Sequence, residues 1–202
     1  GRMDLLVGVP SESVGAVGNA GLVHVIYGSG GWSNNDGFYQ NTAGWPDASE
    51  SGDRFGSALT TGDFNNDGFD DIVIGSPYED LGSSNQLVDA GIITVAYGSA
   101  SGLTNPVNLH QYSPGVGTNS ETGDLFGAAL ASGDINGDGF DDVVVGVPGE
   151  GISKRDRAGA VHVIYGSASG LTGVDSDLLH QDARGVKSRA EVDDAFGEAV
   201  ET

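Results

Sequence analysis

Two stretches of this chain carry the donors of a hard-cation site at matching spacing. The first runs Asp63-Phe64-Asn65-Asn66-Asp67-Gly68-Phe69-Asp70-Asp71. The second, 71 residues on, runs Asp134-Ile135-Asn136-Gly137-Asp138-Gly139-Phe140-Asp141-Asp142. Side-chain oxygens at positions 1, 3 and 5 followed by Gly at 6 make the front half of a calcium loop. The candidate ligands are Asp63, Asn65, Asp67, the Phe69 carbonyl and Asp71. In the second copy they are Asp134, Asn136, Asp138, the Phe140 carbonyl and Asp142. An EF-hand is excluded, because position 12 is Ile74 or Val145 where that loop needs a bidentate Glu. The competing reading is a metal-free hairpin rich in Asp, Asn and Gly. Crowding five carboxylate or amide groups into nine residues favours the cation, since without one they repel.

The elements that must hold these loops are strands. Each loop runs into an apolar stretch, Ile72-Val73-Ile74 or Val143-Val144-Val145, which reads as a buried strand. Self-comparison gives a period of about 71 residues. It opens with Phe55-Gly56, Phe126-Gly127 and Phe196-Gly197. After the loop come Gly75-Ser76-Pro77 or Gly146-Val147-Pro148, then a segment from Ala90-Gly91 to Tyr97-Gly98, or from Ala158-Gly159 to Tyr165-Gly166. The turn Gly-Ser-Ala-Ser-Gly-Leu-Thr stands at 98–104 and again at 166–172.

Each period holds four predicted strands. They are A near Phe55 and Phe126, B at 71–75 and 142–146, C at 91–97 and 159–165, and D near 107–112 and 177–182. Four antiparallel strands repeated radially make a propeller blade. A β-sandwich is the rival, and the regular period disfavours it. The predicted class is all-β, with about three blades: 1–52 lacking strand A, 53–123, 124–193, and a lone strand A at 194–202. Asp4 aligns with Asp71 and Asp142 and reads as the tail of a third, truncated loop beginning before Gly1. The lone A strand is expected to belong to a further blade or to close the first one, splitting that terminal blade between the two ends of the chain. Either this is a piece of a longer chain or several copies assemble.

These residues resemble the FG-GAP repeat family, which builds the propeller head of integrin α-subunits and occurs in many bacterial extracellular proteins. Phe-Gly at 55–56 and 126–127, Gly-x-Pro at 75–77 and 146–148, and the Asp-x-Asn-x-Asp-Gly-x-x-Asp cage between them carry the resemblance. The turn at 98–104 looks more like the bacterial branch. The resemblance implies a seven-bladed ring, calcium in the A–B hairpins and recognition of partners by the opposite face. Fewer than three full blades are present, and the first repeat lacks its cage.

Composition narrows the function classes. The chain has 202 residues, 35 Gly and no Cys, so disulfides are excluded as the stabilising device. No apolar run is long enough to span a membrane. The formal net charge of −21 argues against nucleic acid as a partner. A weak calcium site fills at extracellular calcium levels, so a secreted or cell-surface location is expected.

Six of the eight basic residues fall in two neighbouring connections on one face: Lys154, Arg155 and Arg157, then Arg184, Lys187 and Arg189. They form a candidate patch for an acidic protein or anionic glycan, or for self-association with an acidic end of another copy; ordinary solvated charge is the plain alternative. The His residues read as structural, because His24 and His162 alternate with Thr94, and His110 and His180 with Tyr39. Trp32 and Trp45, with Tyr39, suit either sugar stacking or the packing of an end blade. The Ser residues lie outside any nucleophile elbow, and the paired Asp70/Asp71 and Asp141/Asp142 belong to the cation repeat rather than to a glycosidase. The expectation is a non-enzymatic, calcium-stabilised binding or assembly module. The alternatives are the ancillary propeller of a secreted hydrolase and a building block of a surface filament or layer.

Overall fold

In the computed structural model, residues 3–30, 33–82 and 85–202 are described. Trp32 and the first residues of the truncated loop, Gly1 and Arg2, lie outside them. The first sheet holds β1 (Leu5–Val9), β2 (Leu22–Ile26) and β3 (Asn35–Phe38). The second holds β4 (Ala58–Gly62), β5 (Asp71–Ser76), β6 (Ile92–Tyr97) and β7 (Thr104–Leu109). The third holds β8 (Ala129–Gly133), β9 (Asp142–Val147), β10 (Ala160–Ile164) and β11 (Asp177–Leu179). Within each sheet, neighbours in sequence pair antiparallel. The protein is all-β, with its sheets stacked as propeller blades.

The apolar runs become strands covered on both faces, which is why they read as continuous rather than alternating. Ile72 and Ile74 of β5 pack with Val23 and Phe55 toward the first blade. Val73, between them, points the other way and joins Val143, Val145 and Phe126 of the third. The period-2 pleat thus sends one strand into two cores. The inner strands β4 and β8 lie side by side, with Thr60 Oγ1 2.7 Å from Ser132 Oγ and Ser132 Oγ donating to the Thr61 carbonyl at 2.6 Å.

The short repeated motifs are the seam between blades. The Phe126 amide donates to the Ala90 carbonyl at 3.0 Å, and the Phe55 amide to Ala20 at 2.9 Å. A Cβ on Gly75 would stand 2.2 Å from the Gly127 carbonyl oxygen, and one on Gly8 2.1 Å from that of Gly56. Phe-Gly of one blade therefore docks on Ala-Gly and Gly-x-Pro of the blade before it, at a distance that excludes any side chain.

Two boundary expectations are corrected. Strand A begins at Ala58 and Ala129, two residues past each Phe-Gly, because that dipeptide serves the seam. In the second blade strand D runs 104–109 rather than 107–112, because residues 110–113 close a turn in which the Ser113 amide meets the His110 carbonyl at 2.8 Å. The third blade's D strand likewise ends at Leu179. The last segment does not complete the first sheet. It lies on the third blade, through the Phe196 amide to Ala158 at 3.0 Å and Thr202 Oγ1 to the Ser132 carbonyl at 2.5 Å. It makes an isolated bridge at Phe196 and no ladder among the described residues.

Candidate functional site

The two Asp-rich loops connect β4 to β5 and β8 to β9, on one face of the stack. In the first, the Asp67 amide is shared by Asp63 Oδ1 at 3.0 Å and Asn65 Oδ1 at 2.9 Å. One donor serving two acceptors brings those oxygens together. Asp63 Oδ2 accepts from the Gly68 amide at 2.9 Å, Asp67 Oδ1 from Phe69 at 3.0 Å, and Asp67 Oδ2 from Asn65 Nδ2 at 3.1 Å. The second loop repeats the set: Asp138 N–H to Asp134 at 3.0 Å and Asn136 at 2.8 Å, Gly139 to Asp134 at 3.1 Å, and Phe140 to Asp138 at 3.0 Å. The side chains at positions 1, 3 and 5 fold inward in both. Gly68 and Gly139 hold φ of 88° and 91°, the left-handed turn that position 6 requires.

Asp71 and Asp142 at position 9 are fully buried and tie the loop to two other places. Asp71 Oδ2 accepts from Phe64 N–H at 3.1 Å, and its Oδ1 from Gly98 N–H at 2.8 Å. Asp142 does the same with Ile135 at 2.9 Å and Gly166 at 2.9 Å. Asp4 keeps the second of these bonds, to Gly28 at 2.9 Å. Position 9 thus locks the A–B hairpin to the start of the C–D turn. Burial pushes Asp71 up to about 6, although both amide bonds pull it down. The carbonyl-bearing Phe69 is exposed, at the rim.

Position 8 has a job that its place in the repeat did not suggest. Asp141 Oδ2 accepts from the Asp63 amide at 2.9 Å, and its own amide donates back to the Asp63 carbonyl at 3.2 Å. The second loop therefore caps the first across the blade seam.

The opposite face carries the B–C and D–A connections. Each B–C connection contains a small bridge, Val14 to Val17, Leu81 to Leu87 and Ile152 to Arg155, so segments that differ in sequence share a skeleton. The basic residues gather here but are partly neutralised. Arg155 pairs with Asp182 at 2.8 Å and Arg157 with Asp193 at 3.3 Å. Lys154, Arg184, Lys187 and Arg189 are exposed.

A second group on this face was not legible as a motif. Glu50, Asp53 and Glu79 place one carboxylate oxygen each within 4.8 Å of the others, the one such group of three found among the described residues. Neither loop, with four carboxylates each, brings three of them that close together.

Trp45 is packing: it stacks on Phe38 at 5.5 Å and meets Phe55 edge-on at 5.7 Å. His162 is fully buried, with Nε2 3.0 Å from Thr118 Oγ1 and its ring edge-on to Phe126 at 5.7 Å. Burial drives it down to about 4.

Residues 55–95 and 126–164 each match the FG-GAP repeat model. The chain carries two FG-GAP repeats. Among similar proteins, integrin alpha-8 of Mus musculus is 33% identical over 180 residues, covering 88% of this chain and 15% of that protein. Integrin alpha-3 of Cricetulus griseus is 32% identical over 136 residues, 67% of this chain and 12% of the relative. Phosphatidylinositol-glycan-specific phospholipase D of Bos taurus is 35% identical over 119 residues, 58% of this chain and 14% of the relative. The chain thus spans well under a fifth of the length of these relatives.

Proposed function

We propose that this FG-GAP module is a calcium-stabilised extracellular propeller segment that works by binding or assembly rather than by catalysis. The carrying observation is the convergence of side-chain oxygens in both loops, where one Asp67 or Asp138 amide holds the oxygens of positions 1 and 3 together. Asp63 Oδ1, Asn65 Oδ1 and Asn136 Oδ1 each accept one such bond, whereas Asp134 Oδ1 also accepts from the Gly137 amide at 2.7 Å; the donor set of carboxylates, amide oxygens and a rim carbonyl fits a hard cation. Asp63, Asn65, Asp67, the Phe69 carbonyl and Asp71 hold one ion, and Asp134, Asn136, Asp138, the Phe140 carbonyl and Asp142 the other. The ion supplies positive charge at a turn that otherwise brings like charges together. The chain's part is to pin the A–B hairpin, through Asp71 and Asp142, to the C–D turn of the same blade.

The connections on the other face, with the exposed Lys154, Arg184, Lys187 and Arg189, are the surface offered to a protein or glycan partner or to another copy. Similarity to the integrins supports this use. A second reading, the ancillary propeller of a secreted enzyme, is favoured by the phospholipase D among the relatives.

The test is a thermal melt in EDTA, then in CaCl2, with MgCl2 as control. At about 100 times Kd, calcium adds roughly 2.7 kcal/mol per site. At about 2–4 °C per kcal/mol, that is roughly 5–10 °C for each loop. Asp67→Ala with Asp138→Ala removes the rise. A wild-type midpoint indifferent to calcium refutes the proposal.

A further inference from the structure

The third blade carries charge that its repeat skeleton does not require. Its B–C connection folds back at a two-residue turn, with Ile152 and Arg155 exchanging amide bonds at 3.1 and 3.0 Å. Ser153 and Lys154, at φ of 51° and 72°, form the tip, the left-handed pair of a tight hairpin. The D–A connection beside it makes two successive turns, from the Ala183 amide to the His180 carbonyl at 2.9 Å and from the Val186 amide to the Ala183 carbonyl at 3.2 Å. Asp182 closes that loop, its Oδ1 accepting from the Ala190 amide at 3.1 Å. The same carboxylate holds Arg155 through Oδ2 at 2.8 Å. Further on, the Asp193 amide donates to the Asp156 carbonyl at 3.1 Å and the Ala195 amide to that of Arg157 at 3.0 Å. The two connections therefore run side by side, and Asp182 sets the Lys154 tip beside the loop that bears Arg184, Lys187 and Arg189.

The skeleton is shared between blades and the cations are not. The two D–A turns recur as Thr42 to Tyr39 and Trp45 to Thr42 in the first blade, and as Ser113 to His110 and Val116 to Ser113 in the second. The closing bond recurs from the Ser49 amide to Asn41 Oδ1 at 3.1 Å. Arg184, Lys187 and Arg189 stand where the first blade has Ala43, Pro46 and Ala48 and the second has Pro114, Gly117 and Asn119. Lys154 stands where the first has Ala16. These loops fold without positive charge, so the charge on the third blade is left to act outward.

Nearby acids do not cancel it. Asp182 and Asp193 pair with Arg155 and Arg157, Asp194 accepts from the Glu191 amide at 2.7 Å, and Glu150 is held by Gln111. Asp156 and Glu191 remain, against Lys154, Arg184, Lys187 and Arg189. Those four are exposed and form no ion pair among the described residues. From Ala183 to Ala190 there are three cations and no acid, in a chain of net charge −21.

The surroundings select the partner's chemistry. The exposed residues among the cations are Ser153, Gly185 and Ser188, and Ile152 beneath them is buried. A protein partner is gripped through a desolvated aromatic or apolar anchor at the centre of the contact, and there is none between these cations. Residues 149–157 and 180–195 contain no Phe, Trp or Tyr on which the bases of a nucleic acid single strand would stack. What the loops offer is a set of separate guanidinium and ammonium donors, the match for sulfate or carboxylate groups spaced along a chain.

We infer that Lys154, Arg184, Lys187 and Arg189 bind a linear anionic polysaccharide through its sulfate or carboxylate groups. The inference rests on the reading of this face as a binding surface and names the chemistry of what it binds. Each ionic contact to a flexible polyanion gives log K a slope of about −0.7 against log salt, so four give about −3. Between about 1 M and 0.1 M salt, each contact is then worth about fivefold in affinity, and four together several hundredfold.

The experiment is fluorescence anisotropy of the full chain in CaCl2 with a fluorescein-labelled heparin oligosaccharide. Hyaluronate is the carboxylate-only arm, dextran the uncharged control and oligo(dT) the nucleic-acid arm. Heparin binds with a salt slope of about −3. Hyaluronate binding equally well assigns carboxylate as sufficient, and binding of heparin alone assigns sulfate. Lys154→Ala, Arg184→Ala, Lys187→Ala and Arg189→Ala each weaken binding about fivefold at about 0.1 M salt, and together several hundredfold. Arg54→Ala, a cation outside the patch, leaves it unchanged. Circular dichroism checks that the fourfold variant is folded, and if it is not, the single variants decide. No binding of either charged polysaccharide, equal binding of dextran, or binding that the substitutions leave intact overturns the inference. Tighter binding of oligo(dT) through the same residues overturns it in favour of nucleic acid. The two readings fail separately. A chain that ignores both polysaccharides while calcium still raises its melting midpoint refutes this inference alone, and polysaccharide binding by a chain indifferent to calcium refutes the calcium proposal alone.

Discussion

Replacing Gly75 by Ala tests the blade seam directly. Gly75 lies in regular strand β5, opposite Ala58 and Ile93, and needs no left-handed φ. On propensity alone Ala there would stabilise the strand by about 0.5–1 kcal/mol. The seam reverses the sign. The new Cβ stands 2.2 Å from the Gly127 carbonyl oxygen and 3.2 Å from its carbon. A relaxed contact needs roughly 3.5 Å, so one backbone must retreat by about 1 Å. Gly127 is held by its amide bond to the Gly146 carbonyl at 3.1 Å, and Phe126 by its bond to Ala90 at 3.0 Å. Losing one or two such bonds at about 1 kcal/mol each, with loosened packing around Phe126, gives roughly 3 kcal/mol. For a chain of this size that lowers the calorimetric midpoint by about 6–12 °C. Gly44→Ala is the control: φ is 88° and nothing lies within 4 Å, so strain alone acts, at about 1 kcal/mol. Gly146→Ala meets Gly197 at 2.0 Å, but the segment beyond Phe196 forms no ladder and can lift away, so the cost there is nearer 1 kcal/mol. A Gly75→Ala protein as stable as wild type refutes the seam as described.

Asp141→Ala removes the acceptor for the Asp63 amide and costs about 1–2 kcal/mol in a chemical melt, whereas Asp70→Ala, exposed at the same loop position, stays within about 0.5 kcal/mol. His162 is held neutral by burial, at about 4 in the folded state against its ordinary 6.5. Between those values the unfolded chain binds more protons, so this residue's contribution is full above about pH 6.5 and falls by up to about 1.4 kcal/mol per unit as pH drops toward 4. A urea-melt series should show that slope in wild type and lose it in His162→Gln. Arg155→Ala breaks a half-exposed pair with Asp182 and costs no more than about 0.2–1 kcal/mol, a difference that high salt erases.

Legibility followed how local each signal was. The B and C strands were readable because burial on both faces writes them as apolar runs, as with Ile72-Val73-Ile74. The loops were readable because all their donors lie within nine residues. Strand A was misplaced because Phe55-Gly56 looks like a strand start, yet its amide serves Ala20 of the preceding blade. Strand D was misplaced because it is the outer, half-exposed strand with Pro106 inside it, so hydropathy marks it weakly. The acidic group at the seam had no spacing to read. Gln40 and Glu79 are 39 residues apart and belong to different blades, and only the stacking joins them. The basic patch was visible as composition, but its neutralisation by Asp182 and Asp193 needed the fold.

The seam also explains why this repeat is so dense in short motifs. Several of them are half of a contact completed by the neighbouring blade: Phe-Gly on Ala-Gly, Gly-x-Pro on the next Phe-Gly, Asp141 on the Asp63 amide, Gln40 on Glu79. A blade alone leaves these groups unpaired, and the cost of leaving buried polar groups unpaired exceeds what one small sheet can offset. Stability is therefore a sum over seams, and the position of a blade in the stack decides how many it shares. The strands show this. β5 and β6, between two blades, are buried nearly throughout, whereas β1, of the first sheet, is intermediate or exposed along its length. Hydrogen exchange should follow the same order, slowest in β5 and β6, and fastest in β1 and in the segment after Phe196. Equal protection of β1 and β5 would mean that the blades hold themselves up singly, and the seam would then be a consequence of the fold rather than its cause.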